Sequence, residues 1–197
     1  MYSILFWSLV VICITIVVLA KFNLIHKKYS YTALFIVSTL SFLLVWFNGF
    51  NFKLLGILAP TWNDIYDYSM ITFLCCSIIW TLNRFWFKHK KNHNSTEVEI
   101  KKFLFYTIIS VTVQEFLFRS FVYYSLIQMG MLNVYTMVIL SFLLFGIAHL
   151  AFRGKIFKVG VFMMGIIWGV LYFYAPNLIL ISISHAVVGM FAYYQGL

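Results

Sequence analysis

Apolar residues run along this chain in seven blocks, at about 2–20, 31–50, 65–83, 103–129, 134–152, 157–174 and 177–194, with polar residues largely confined to the gaps. The hydrocarbon core of a bilayer is about 30 Å thick and is crossed by about 20 helical residues. Blocks of that length, apolar all round and not along one stripe, predict membrane-crossing helices. The expected fold is therefore all-α: a polytopic transmembrane helical bundle of about seven spans. Asp64 and Asp67 stand at the entrance of the third block, and the fourth is long for a span, which predicts protrusion or tilt. Met1 to Ala20 has no basic leader and no small-residue cleavage site, so it reads as a retained helix and not as a signal peptide.

Composition narrows the class. Of 197 residues, 63% are hydrophobic and only 10% charged, more apolar side chain than a soluble domain of this size can hide. The formal net charge of +9 would suit nucleic acid, but its distribution argues for lipid as the partner. Lys21, Lys27 and Lys28 fall in the first gap, Arg84, Lys88, Lys90, Lys91, Lys101 and Lys102 in the third, and Arg153, Lys155 and Lys158 in the fifth. The alternate gaps hold Lys53 alone, and Arg119 lies inside a block. Basic residues mark cytoplasmic loops, so the N-terminus is expected outside and the C-terminus in the cytoplasm. This divides the chain into an N-terminal three-helix membrane region, 1–83, a basic cytoplasmic loop, 84–102, and a four-helix core, 103–197. His89 and His93 in the loop are four apart, but amid so many Lys they read as a solvated segment facing anionic lipid. Cys13, Cys75 and Cys76 sit within apolar blocks and read as small buried hydrophobes, with neither disulfide nor zinc spacing.

Inside the blocks few ionisable groups remain: Glu115 and Arg119 in the fourth, His149 in the fifth and His185 in the seventh. Each costs several kcal/mol if it faces lipid, so each is expected to point into the bundle or a wet cavity. Glu115 and Arg119 are four apart and share a helix face, as do Phe145 and His149. Helices four, five and seven should thus converge on one polar site. A Glu–Arg pair can simply clamp helices, and a lone His can donate one cross-bundle hydrogen bond. A carboxylate with two imidazoles can instead support hydrolysis in two ways. Glu115 can act as base for a water while a His donates to the developing oxyanion, or Glu115, His149 and His185 can bind a divalent metal such as zinc that activates the water.

The stretches "QEFLFR" (114–119), "FGIAH" (145–149) and "HAVVG" (185–189) resemble, in order and spacing, the three motifs EExxxR, FxxxH and HxxxN/D of the CAAX-protease and bacteriocin-processing family of intramembrane proteases. The resemblance covers about 100–195 and implies a type II CAAX endopeptidase-like core. It carries Glu115 and Arg119 onto motif one, Phe145 and His149 onto motif two, and His185 onto the leading His of motif three. It implies Glu115 and Gln114 in water activation, His149 and His185 in oxyanion stabilisation, and Arg119, Phe145 and Gly189 in support. Gln114 replaces the expected first Glu and Gly189 the expected Asn or Asp. The resemblance also implies a peptide or membrane-protein substrate cut near the cytoplasmic face, in the plasma (inner) membrane of a prokaryote.

Two rival functions remain on these residues: a catalytically silent relative that binds peptides, in a bacteriocin-immunity or scaffold role, and a small transporter. Against the transporter stand the short chain and the lack of inverted halves. Tyr66-Asp67 has no GxGD partner, and there is neither a GxSx nor an HExxH motif. Ser182 and Ser184 read as packing polars beside His185, and Ala175-Pro176-Asn177 as an outer turn.

Overall fold

The computed structural model describes residues 2–22, 24, 27–87, 97–149 and 155–195, and every regular element among them is helical. In chain order these are α1 (Tyr2–Lys21), α2 (Lys27–Phe47), α3 (Trp62–Leu82, continued by a π-helical turn Asn83–Phe87), α4 (Glu97–Glu115), α5 (Phe121–Gln128), α6 (Val134–Ala148), α7 (Lys155–Tyr174) and α8 (Leu178–Tyr194). A second π turn, Phe116–Ser120, joins α4 to α5 in one rod, so the described residues form seven rods, one for each apolar block. Within the stretch 84–102, helix runs on to Phe87 and is present again from Glu97. His89, His93 and Arg153 lie outside the described residues.

Local chemistry explains where several rods begin. Thr61 Oγ1 accepts from the Asp64 N–H at 3.2 Å, while Asp64 Oδ2 accepts from the Thr61 N–H at 2.8 Å, a reciprocal capping box. Asp64 is thus the start signal of α3, not a charge intruding on it. Asn133 and Thr136 cap α6 in the same way, and Asn177 Oδ1 accepts from the Leu180 N–H at 3.0 Å to start α8. Each such cap is worth about 1 kcal/mol.

Helix α8 packs against α3 and α4, α1 against α2 and α6, and α6 against α7 along most of their length. Small residues allow the last approach. A Cβ on Gly165 would stand 3.1 Å from Phe142 Cα and one on Gly169 3.1 Å from Ser141 Cβ, while one on Gly146 would overlap the Phe162 ring. Close backbones gain dispersion contacts, which lipid-immersed helices need because lipid removes the hydrophobic drive between them. The outward faces are strongly apolar: Ile4 is 69% exposed and Phe73 72%. Tyr2–Lys21 and Trp62–Phe85 are long and apolar enough to cross a membrane, and Thr32–Phe47, Val134–Ala148, Val159–Tyr174 and Leu178–Tyr194 are apolar but shorter. Cys13 and Cys75 are buried free thiols, and Cys76 is half-buried.

The segment 48–60 folds back into one end of the bundle. Leu55 is fully buried, and its carbonyl accepts from Ser120 Oγ at 2.6 Å and Tyr172 Oη at 2.9 Å. The Gly56 carbonyl accepts from the Leu178 N–H at 2.8 Å, and the Leu58 carbonyl from Asn177 Nδ2 at 3.1 Å. Tyr124 Oη bonds the Asn48 and Gly49 carbonyls at 3.2 and 3.0 Å. Irregular backbone at depth is tolerated only with such partners.

Candidate active site

Glu115 ends α4 and Arg119 lies in the π turn, both with no exposed side-chain surface. The turn is closed by the Phe121 N–H on the Phe116 carbonyl, and all five of its side chains are buried. Ser141 Oγ of α6 reaches the Phe118 carbonyl at 3.4 Å. Arg119 Nη1 donates to Glu115 Oε1 at 2.8 Å, and the guanidinium lies 4.2 Å over the Phe145 ring, within cation–π range.

His185 Nδ1 meets the same Glu115 Oε1 at 2.6 Å. Glu115 Oε1 also accepts a hydrogen bond from Arg119 Nη1, so it serves as acceptor here too and His185 Nδ1 carries the hydrogen. Nε2 of a neutral His185 is then the basic nitrogen, and it has no hydrogen-bond partner among the described residues. His149 caps α6 with Nδ1 2.8 Å from the Phe145 carbonyl, which fixes the same tautomer. Its ring centroid is 6.4 Å from that of His185. Phe145 is the shared wall, 4.4 Å from the His149 ring and 5.2 Å from that of His185.

Five of the seven residues read from the sequence thus come together: Glu115, Arg119, Phe145, His149 and His185. Gln114 does not bond any of them: its Nε2 donates to Ser110 Oγ at 2.9 Å, one turn back, and its Oε1 has no partner among the described residues. Gly189 lies one turn beyond His185, half-buried, and a Cβ there would meet nothing within 4 Å. The expected metal ligands are not arranged as a set of three. Glu115 Oε1 binds Arg119 and His185, the posture of a carboxylate that orients an imidazole. Among the described residues no group of three or more His, Cys, Asp or Glu could share an ion.

One residue at the site escaped the sequence reading. The fully buried Trp168 of α7 lays its ring on His185, centroids 4.6 Å apart at 38°, and its Nε1–H donates to Ser184 Oγ at 3.1 Å. The signal available was position: membrane Trp residues gather at the interfaces, and this one stands mid-block.

An all-helical bundle with apolar outer faces and an interior carboxylate–imidazole–guanidinium cluster defines a class of membrane protein built around a buried polar site. Residues 96–191, just under half of the chain, match the family model described as Type II CAAX prenyl endopeptidase Rce1-like, so that part of the chain is similar to this family. The family is one of membrane-embedded proteases. No curated protein and no solved structure matches the chain.

Proposed function

We propose that this protein is an integral-membrane endopeptidase of the CAAX-protease type that hydrolyses a peptide bond of a peptide or membrane-protein substrate near the cytoplasmic face. In this reading all seven rods cross the membrane, N-terminus out, in the plasma membrane of a prokaryote, and 103–197 form the catalytic core. The observation that carries it is the 2.6 Å contact between Glu115 Oε1 and His185 Nδ1, with His149 facing the same space. Glu115 Oε2 and Ser182 Oγ add buried polar atoms with no partner among the described residues, the kind of group a polar ligand satisfies.

The casting follows from the tautomers. Nε2 of His185 takes a proton from water as the oxygen adds to the scissile carbonyl carbon. Glu115 stabilises the imidazolium through Nδ1–H, as the buried carboxylate of a catalytic triad does. Because Glu115 and Arg119 neutralise each other, the new imidazolium gives the site a net positive charge opposite the oxyanion. The tetrahedral intermediate collapses with C–N cleavage, and the Nε2 proton passes to the departing amine. Neutral His149 offers an acceptor at Nε2 and orients the water; it donates to an oxyanion only when doubly protonated.

A silent, peptide-binding relative is the second reading, favoured by Gln114 turning to Ser110 and by the side-chain-free Gly189. The two separate in cells carrying the native protein, Glu115→Gln or His185→Gln, compared by proteomics. Native cells are expected to show fragments ending near a membrane boundary. Each variant should lose them, with rates down about 10²–10⁴-fold for a lost acid–base group and the folded protein still present. Identical fragments in all three strains would sink the hydrolase reading and leave the binder.

A further inference from the structure

His185 has two neighbours that matter for its orientation. Glu115 fixes Nδ1, and one bond leaves the ring free to swing about it. The indole of Trp168 supplies the second constraint by lying against the ring face at 4.6 Å, while Phe145 closes edge-on against both, 5.2 Å from His185 and 5.8 Å from Trp168. What holds the indole is a chain of hydroxyls. Trp168 Nε1–H can only donate, so Ser184 Oγ accepts it. Thr72 Oγ1 lies 2.6 Å from the Tyr68 carbonyl and 2.7 Å from Ser184 Oγ. The Thr72 hydroxyl donates toward both the Tyr68 carbonyl and Ser184 Oγ, so Ser184 Oγ is the acceptor shared by Trp168 and Thr72. Ser184 Oγ of α8 thereby ties α7, through Trp168, to α3, through Thr72. Trp168 and Ser184 are 1% and 2% exposed, so no solvent competes for the bond between them.

Resting on the hydrolase reading, we infer that Trp168 is a positioning residue for His185, and that Thr72, outside the family-matched region, sets Trp168 through Ser184. The N-terminal half of the chain, which carries no motif, thereby contributes to the site. The geometry is specific about roles: the indole face restrains the imidazole, and the indole N–H reports the register of α3 against α7 and α8. A misplaced base costs turnover far more than binding, because the substrate can bind while the proton transfer waits for alignment.

The test uses the full chain in lipid nanodiscs. Thr72→Val removes the hydroxyl at nearly constant volume, Thr72→Ser returns it, Trp168→Phe keeps a stacked ring without the N–H, and Trp168→Leu removes both. Expected are a kcat lower by about tenfold in Thr72→Val and Trp168→Phe and about 100-fold in Trp168→Leu, with KM within about twofold and Thr72→Ser near native. A second arm needs no substrate: the rate at which diethyl pyrocarbonate carbethoxylates His185 in the resting protein, read by mass spectrometry with His149 as internal reference. Loss of the indole shelf should raise the His185 rate several-fold relative to His149, and Thr72→Val should move it the same way. The inference is overturned if Thr72→Val leaves both kcat and the His185 rate native, if Thr72→Ser fails to restore what Thr72→Val loses, or if both histidines become reactive together. Should the native protein cleave nothing, the modification arm still decides whether Thr72 and Trp168 restrain His185, so the two readings fail separately.

Discussion

A carboxylate and a guanidinium beyond the reach of water hold each other in place, and each becomes a liability when the other goes. Glu115 and Arg119 are both fully buried and 2.8 Å apart. Burial of the pair adds little net stability, but removing one partner strands a charge, at about 3–5 kcal/mol. Arg119→Met should therefore lower thermal stability in nanodiscs by that amount, although Met fills the same space against Phe145. A variant as stable as native would show that the pair is not buried as a charged unit. The sequence made this cluster legible because ionisable groups in apolar blocks are so few that they must find one another. It did not reveal the division of labour. Glu115 was expected in water activation. Its Oε1 is engaged by Arg119 and His185, while its Oε2 has no partner among the described residues. The choice of base between Glu115 Oε2 and His185 Nε2 belongs to the proposed function. Sequence spacing carries no information about which oxygen meets which nitrogen.

Elements show the same boundary between what a pattern states and what packing decides. Seven rods follow from seven apolar blocks because block length and helix rise leave few alternatives. The π turn at Phe116–Ser120 had no such signal, since its freed carbonyls find partners far away in sequence, as Phe118 does in Ser141. Nor did the plug at 48–60, which falls mostly in the gap between the second and third apolar blocks. Its bonds to Ser120, Tyr172, Asn177 and Leu178 form only once three rods, α4–α5, α7 and α8, are assembled. Gly56 is the test of that element. It has φ +65°, and a Cβ there would stand 2.6 Å from Tyr172 Oη and 2.9 Å from the Pro176 backbone. Gly49 has φ +97° with nothing within 4 Å. Gly49→Ala should cost only backbone strain, about 1 kcal/mol, while Gly56→Ala adds a clash with backbone that cannot yield, for about 3 kcal/mol or more. Equal losses in thermal stability would mean that the plug is not packed on Tyr172 and Pro176.

At the scale of the whole molecule, the plug and the charge pattern make one statement about sidedness. The plug lies at the end that holds the start of α3 and the α7–α8 turn, where Tyr68 Oη donates to the Ala175 carbonyl at 2.9 Å and the Leu178 N–H to Gly56. That end carries Lys53 alone of the basic residues in connecting segments, whereas the opposite gaps carry twelve of the fourteen Lys and Arg. The plugged end is thus expected outside and the unplugged end in the cytoplasm. His149, at the end of α6, and Gly189, one turn beyond His185, lie toward the unplugged side of the site. Water and substrate should then enter from the cytoplasm. In a background with Cys13, Cys75 and Cys76 replaced by Ala, single cysteines at Lys53 and at Asn94 read this out. A membrane-impermeant maleimide should label Lys53→Cys in intact cells, and Asn94→Cys only after permeabilisation. Labelling of Asn94→Cys from outside would invert the molecule. It would also place the hydrolytic site's entrance on the outer face, which changes the class of substrate that can reach His185.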